Sequence, residues 1–276
     1  MKKVLLALDG EHFPQGAFEL AAEWHLKEPL LLTGVFVSPV DVSKIITYTG
    51  LEGVPVMPAA TQDRYAEQIA RNIQTFEEKC AHAGLEYRIH NDTESLPIAS
   101  LVEETRFADL VLLSRESFFA NVNKDQPNEY LQELLKKSEC PVLLIPEKYN
   151  APDKVLLLYD GEASSVYAIK LFAYLFPELT LLPATLLNVR KKAAQQMPDQ
   201  ESIAELTARH YPHLTLNNLE IDHPSQLITW LLEEGSAWVV MGSYGRSLFS
   251  TLFKKSFADE FIQNVRMPLF ITHPQG

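Results

Sequence analysis

The sequence is poor in cysteine and has no long apolar run. Its two cysteines, Cys80 and Cys140, lie far apart without a CxxC motif or a nearby metal-type partner, which predicts a reducing compartment, no disulfide and no metal site. No apolar run is long enough to cross a membrane. The apolar run after Lys2 and Lys3 ends at Asp9, too early for a secretory signal. These absences predict a soluble, cytoplasmic protein without a membrane partner.

Positive charge is also scarce. The chain has 36 acidic and 24 basic residues, a formal net charge of −12. Binding to duplex DNA needs clustered lysine and arginine to neutralise phosphate. The composition therefore argues against a nucleic-acid-binding protein.

What the sequence does contain is an internal repeat. "KVLLALDGE", residues 3–11, returns as "KVLLLYDGE", residues 154–162, at an offset of 151 residues. The ends of the two halves correspond as well: "ADLVLLSRE" matches "AWVVMGSYG", and "CPVLLIP" matches "MPLFITH". The repeat predicts two tandem domains, residues 1–147 and 153–276.

Each half alternates β-rich runs with helical segments. A helix is predicted over 61–83, where apolar residues recur at spacings of three and four before Gly84. Strands separated by helices imply right-handed crossovers, so we predict an α/β, Rossmann-like fold with one open five-stranded parallel sheet per half and helices on both faces. The predicted strands are Val4–Leu8, Leu30–Val37, Tyr87–His90, Leu110–Ser114, Val142–Ile145, Val155–Tyr159, Thr180–Val189, Leu214–Ile221, Trp238–Gly242 and Leu269–Thr272.

A ligand crevice is expected outside the carboxyl ends of these strands, where the strand order reverses. Asp9 and Asp160 end the first strand of each half, and Gly242 and Gly245 follow the fourth strand of the second half. Glycines allow backbone N–H groups to approach a phosphate, although a plain turn explains them as well. The aspartates would either contact a ligand or cap the following turn.

These motifs resemble the universal stress protein family in a tandem arrangement. The resemblance rests on an apolar first strand closed by Asp-Gly, a fourth strand reading "VVMGSYGRS" and a last strand opened by proline. It implies an adenine-nucleotide alpha-hydrolase-like fold, a role in the stress response and, for the ATP-binding branch, a bound ATP, ADP or AMP. The resemblance further implies that Asp160 and Val189 lie near the adenine and that Met241, Gly242 and Gly245 bind the nucleotide.

The loop of the ATP-binding branch reads glycine, two residues, glycine, nine residues, then glycine followed by serine or threonine. Gly242, Gly245 and Ser256 match this pattern, but Lys255 stands at the third glycine. The lysine side chain would either crowd a triphosphate or pair with a phosphate. Crowding predicts that AMP or ADP binds about as well as ATP. Ser256 is explained equally well as the N-cap of a helix.

The first half departs from the same loop at every position. Leu113 and Glu116 stand where the second half has Gly242 and Gly245, and Glu129 stands opposite Ser256. A carboxylate close to a phosphate charge is strongly repelled. We therefore predict that the first half does not bind ATP.

No nucleophile–base pair or metal set is visible in the sequence. His210 and His213 flank a proline without a third ligand, and the glutamate pairs at 103–104 and 233–234 are predicted to lie on exposed helix faces. These features favour a non-catalytic binding or scaffold protein. The alternative is an ATP-hydrolysing or ATP-dependent enzyme of the same superfold.

The last strand of each half is apolar and would otherwise expose an edge. This predicts that Val142–Ile145 and Leu269–Thr272 pair the two halves into an intramolecular pseudo-dimer. Whether two tandem chains dimerise again is left open by the sequence.

Overall fold

The chain forms an α/β fold with a mostly parallel sheet. It divides into two compact units, Met1–Asn121 and Val122–Gly276. The second unit includes Val142–Ile145, the last strand of the first repeat, and the domain boundary near residues 147–153 stays a prediction drawn from the repeat. The structure, a computed structural model, describes residues 1–8, 12–36, 47–48, 55–56, 59–90, 97–115, 134–148, 150–190, 196–223, 225–242, 264–272 and 274.

The first unit contains four parallel strands in the order β6-β1-β2-β5. Residues 4–8 of β1 and the whole of β6 are buried, as expected for strands with helices on both faces. A short antiparallel pair, β3 with β4, was not predicted. The elements are β1 (Lys2–Leu8), α1 (Gln15–His25), β2 (Leu30–Phe36), β3 (Thr47–Tyr48), β4 (Pro55–Val56), α2 (Ala59–Ala83), β5 (Glu86–His90), α3 (Pro97–Thr105) and β6 (Leu110–Ser114).

The second unit contains the predicted five-stranded parallel sheet, in the order β10-β9-β8-β11-β12. A sixth strand, β7, pairs antiparallel with β12, with Leu143 opposite Phe270. The elements are β7 (Val142–Ile145), β8 (Lys154–Tyr159), α4 (Ala163–Leu175), β9 (Ala184–Arg190), α5 (Gln200–His210), β10 (Leu214–Glu220), α6 (Ser225–Glu233), β11 (Ala237–Gly242) and β12 (Leu269–Thr272).

One predicted strand was wrong at its start. Thr180–Val189 was predicted as a single strand, but Leu179–Leu181 forms a 3-10 turn and β9 begins only at Ala184. The Thr180 hydroxyl donates a hydrogen bond to the Pro177 carbonyl at 2.7 Å. Such a local bond offers the backbone an alternative to the strand ladder, which period-two patterning does not reveal.

An aromatic cluster forms the core where α4 packs on β11 and β12. The Phe172 ring lies 6.1 Å from Trp238 and 5.3 Å from Phe270, and the Phe176 ring lies 5.2 Å from Trp238. The contacts with Trp238 and Phe270 are edge-to-face, a geometry worth about 0.5–1.5 kcal/mol per pair beyond area burial. The cluster therefore holds α4 against the fourth and fifth strands of its repeat.

Equivalent ion pairs occur in both repeats. Lys3 Nζ lies 3.7 Å from Glu104 Oε2, and Lys154 Nζ lies 3.0 Å from Glu234 Oε2. Both lysines lie within the first two residues of the first strand of their repeat, and both glutamates are half-buried. The prediction of exposed glutamate pairs therefore holds only for Glu103 and Glu233.

Among the helices that the structure describes, none is long and apolar enough to span a membrane.

A hydrogen bond from Tyr211 connects the end of α5 to α4, and its removal tests the packing of the second unit. Its hydroxyl donates to the Ile169 carbonyl at 2.8 Å, and burial raises the pKa of this phenol. We expect Tyr211→Phe to lower the free energy of unfolding by about 1 kcal/mol in urea titrations, because a buried acceptor loses its partner. Tyr174→Phe is the matched control, because Tyr174 is exposed. Equal losses in the two variants would contradict a stabilising role for the bond between the Tyr211 hydroxyl and the Ile169 carbonyl.

Candidate functional site

The strand order of the second unit reverses between β8 and β11. From β8 the chain continues to β9 on one side, whereas β11 and β12 lie on the other side. In open parallel sheets the ligand crevice lies outside the carboxyl ends of the strands at this point. Asp160 directly follows β8 and Gly242 ends β11. The crevice predicted from the sequence is therefore located between these two residues.

Four predicted site residues lie together at this edge of the sheet. Val189 is level with Asp160, one residue beyond the last paired residues of β8 and β9. Met241 and Gly242 end β11 on the other side of β8. Because side chains alternate along a strand, Met241 points away from the face on which Gly242 contacts α4.

The remaining predicted site residues lie outside the described part of the chain. They are Gly245, Lys255 and Ser256 in the second repeat and Asp9, Glu116 and Glu129 in the first. Their proposed roles stay predictions.

Asp160 caps the turn that leads into α4. Its Oδ1 accepts a hydrogen bond from the Glu162 backbone N–H at 3.0 Å. Gly161 has a φ of +87°, a conformation that side-chain-bearing residues rarely adopt. The capping interpretation is thus realised, and it orients the carboxylate at the end of β8 before any ligand binds.

The segment after β9 folds over this turn. The Tyr159 hydroxyl donates to the Pro198 carbonyl at 3.0 Å. A Cβ on Gly161 would lie 2.7 Å from Pro198 Cβ and 2.9 Å from its Cγ. Met197 is buried beside them. Residues 197–198 therefore form a wall at the carboxyl end of β8, and only glycine fits beneath it.

The end of β8 is acidic. Burial raises the pKa of Tyr159, and the charges of Asp199 and Asp160 raise it further. The phenol is therefore a neutral hydrogen-bond donor at physiological pH. Carboxylates favour ligand groups that donate hydrogen bonds and repel phosphate. Within the described ranges, no group of three or more His, Cys, Asp or Glu residues is arranged to hold a metal ion.

Sequence reasoning missed Tyr159, Asn188 and Pro198. The Asn188 side chain donates to the Tyr159 carbonyl at 3.0 Å and ties the ends of β8 and β9 together. One signal was present in the repeat: Tyr159 replaces Leu8 of the otherwise similar first-repeat strand. A polar ring at that position indicates a contact that the first repeat does not make.

Gly242 has a packing role that was also missed. A Cβ at this position would lie 2.4 Å from the carbonyl carbon of Ser164 and 2.5 Å from the nitrogen of Ser165. These are backbone atoms in the first turn of α4, so they cannot move aside as a flexible side chain would. Gly242 is therefore required for the close approach of the helix, whether or not a phosphate binds nearby.

The first repeat lacks this close approach. Leu113, fully buried, stands where the second repeat has Gly242. At the repeat offset, the start of α4 at Ala163 corresponds to His12, whereas α1 begins at Gln15. Helix α1 thus begins about one turn later. Its positive helix end is correspondingly farther along the chain from the first strand.

Comparisons with known proteins identify the fold. No family model matches the sequence, and no curated protein matches it. The structure is similar to a universal stress protein from Archaeoglobus fulgidus, with a TM-score of 0.68, 13% identity, and 99% of this chain and 96% of that chain covered. It is also similar to a functionally unknown protein from Pseudomonas aeruginosa, with a TM-score of 0.57, 13% identity, and coverage of 99% and 93%. The first of these likenesses confirms the predicted fold over nearly the whole chain.

The packing role of Gly242 predicts a large effect of a single methyl group. We expect Gly242→Ala to lower the free energy of unfolding by about 3 kcal/mol, because the added Cβ meets helix backbone. Gly84→Ala is the control: Gly84 has a φ of +66° but nothing within 4 Å of an added Cβ, so only backbone strain of about 1 kcal/mol is expected. Urea unfolding measures both. A Gly242→Ala loss no larger than that of Gly84→Ala would refute the packing role.

Proposed function

We propose that this chain, which has the fold of the universal stress proteins, is a tandem member of that family: a non-catalytic stress-response protein that binds an adenine nucleotide in its second repeat only. One observation carries the proposal. Asp160, Val189, Met241 and Gly242, which the family resemblance assigns to the nucleotide, meet at the carboxyl ends of three adjacent strands where the strand order reverses.

The charge distribution supports one orientation of the nucleotide. The end of β8 carries Asp160 and, across Tyr159, the Asp199 carboxylate. Adenine offers an exocyclic amino group and ribose offers hydroxyls, all of which can donate to carboxylates, whereas phosphates would be repelled. The base and sugar therefore belong at β8, and the phosphates belong toward the loop that follows Gly242.

Two buried apolar side chains lie beside the proposed base position. Val189 and Met197 are 6% and 3% exposed, and both lie near the end of β8. Flat aromatic bases bind between apolar surfaces with a few polar groups at their edge. The wall formed by Met197 and Pro198 would limit the space on one side of the base.

Binding in the second repeat alone is supported by differences in the sequence and helix start of the first repeat. Leu113 replaces the glycine that admits the helix, and α1 begins about one turn late. The two glutamates expected at the first-repeat loop, Glu116 and Glu129, would add repulsion. We therefore expect one nucleotide per chain.

The pairing of the two repeats as a pseudo-dimer is part of the same proposal. The antiparallel pairing of β7 with β12 supports it, because a two-fold relation between repeats makes their last strands antiparallel. In this pseudo-dimer, one tandem chain contains the strand pairing that two single-domain chains would make by dimerising.

The two aspartates of the repeat offer a matched test of the site. We expect titration calorimetry with AMP to give one site per chain, and Asp160→Ala to weaken binding by about 10- to 150-fold, because a carboxylate–donor bond is worth roughly 1.5–3 kcal/mol. Asp9→Ala, the equivalent change in the first repeat, should leave the affinity unchanged. Weaker binding in Asp9→Ala, or ATP consumption by the protein that Gly245→Asp abolishes, would contradict the proposal.

We expect the Lys255 side chain to determine how well the distal phosphates of ATP bind. If its side chain crowds them, ATP binds no better than AMP or ADP, and Lys255→Gly strengthens ATP binding selectively. We expect this result, because the family pattern has glycine there. Calorimetry with the three nucleotides on both proteins measures it. Weaker ATP binding in Lys255→Gly would show instead that the ammonium pairs with phosphate.

A further inference from the structure

The edge strand of the second unit, β10, is uncharged over its first six residues. Strand β10 pairs with β9 along its whole length, and across the residues that the structure describes no strand pairs with its outer edge. From Leu214 to Leu219 it contains no charged residue, and Leu216 is exposed. Exposed edges without charge or proline are templates for pairing with another strand.

The equivalent edge strand of the first unit, β5, carries charged side chains. Strand β5 carries Glu86, Arg88 and His90 at alternate positions, and Glu86 and Arg88 form an ion pair at 3.5 Å. Charges of this kind oppose edge-to-edge pairing. The two repeats share a strand order but differ in the charge of this edge strand. This contrast indicates that the uncharged edge of β10 pairs with another strand.

The hydrogen-bond pattern identifies which groups of β10 face outward. The His213 carbonyl accepts a bond from the Ala184 N–H at 2.9 Å, so its backbone groups face β9. In a parallel pair this orientation alternates from residue to residue. The N–H and C=O groups of Leu214, Leu216, Asn218 and Glu220 therefore point away from the sheet.

We propose that β10 is a homodimer interface, at which two copies of this chain pair antiparallel about a two-fold axis at Asn217. Full overlap of this seven-residue strand with itself places the axis at its central residue. The outward groups of Leu216 then meet those of Asn218 in the second copy, and those of Leu214 meet those of Glu220. Each of these two kinds of pair joins backbone groups that already face outward, so both can form inter-strand hydrogen bonds.

The uncharged edge of β10 suits a second, like-charged copy of the chain as the occupant. Each chain carries a formal net charge of −12, so two copies repel each other over most of their surfaces. The β10 edge is a strip where they can approach without like charges facing each other. Glu220, the one charged residue of β10, lies opposite the uncharged Leu214 of the second copy, so no carboxylate faces another across the interface.

The register makes a sharp prediction for disulfide crosslinking. The two Asn217 residues would face each other as a non-hydrogen-bonded pair with Cα atoms about 4.5 Å apart, within disulfide range. Asn217→Cys should therefore give a covalent dimer on mild oxidation. Thr215→Cys is the control, because Thr215 is exposed on the same face but lies two residues from the axis. Both native cysteines are buried, and burial raises the pKa of Cys80 to about 12, so the introduced thiol dominates the chemistry.

Sedimentation velocity tests the interface without a crosslink. We expect the wild type to sediment as a dimer at micromolar concentration and Leu216→Lys to shift it to monomer, because the change brings two cations close across the axis. Leu232→Lys, which replaces an equally apolar exposed leucine on α6, should remain dimeric. A monomeric wild type, a dimer that survives Leu216→Lys, or crosslinking of Thr215→Cys as complete as that of Asn217→Cys would each overturn the proposal.

Discussion

The close approach of α4 to the end of β11 is the constraint on which the second repeat depends. With no side chain at Gly242, the peptide between Ser164 and Ser165 packs directly on the strand. The helix can therefore begin right after the Asp160 turn, with its positive end at the carboxyl edge of the sheet. The aromatic cluster around Trp238 then holds the rest of the helix in place. With Leu113 at the equivalent position, the first repeat begins its helix about one turn later.

Local patterns in the sequence were sufficient to predict most of the framework. Buried parallel strands are continuous apolar runs, so strands such as Leu110–Ser114 and Leu269–Thr272 were predicted to the residue. The start of β9 was wrong because a hydroxyl–carbonyl bond at Thr180 competes with the strand, and this bond leaves no trace in the apolar pattern. Repeat matching fixed the order of elements because both halves obey the same crossover rule.

The candidate site was predicted in outline only, because its contacts join residues far apart in sequence. Tyr159 and Pro198 are separated by 39 positions, and nothing near either residue indicates their hydrogen bond. Gly242 was predicted for a correct property, the absence of a Cβ, but phosphate approach and helix packing both require that absence. The sequence cannot separate the two causes, whereas the contact with Ser164 identifies one of them. The two repeats thus share the same framework of strands and helices. They differ at the carboxyl ends of the strands, where a ligand is proposed to bind, and at the edge strand, where a second copy is proposed to pair.

The proposed nucleotide site distinguishes the two repeats, because binding is expected in the second repeat alone. Hydrogen–deuterium exchange of the full chain, with and without AMP, tests it most directly because both repeats are observed in the same molecule. A site in the second repeat alone predicts slower exchange for the Asp160 turn and the segment around Met197 and Pro198, with no change at the first-repeat residues around Asp9. Protection around Asp9, or none in either repeat at saturating AMP, would contradict it.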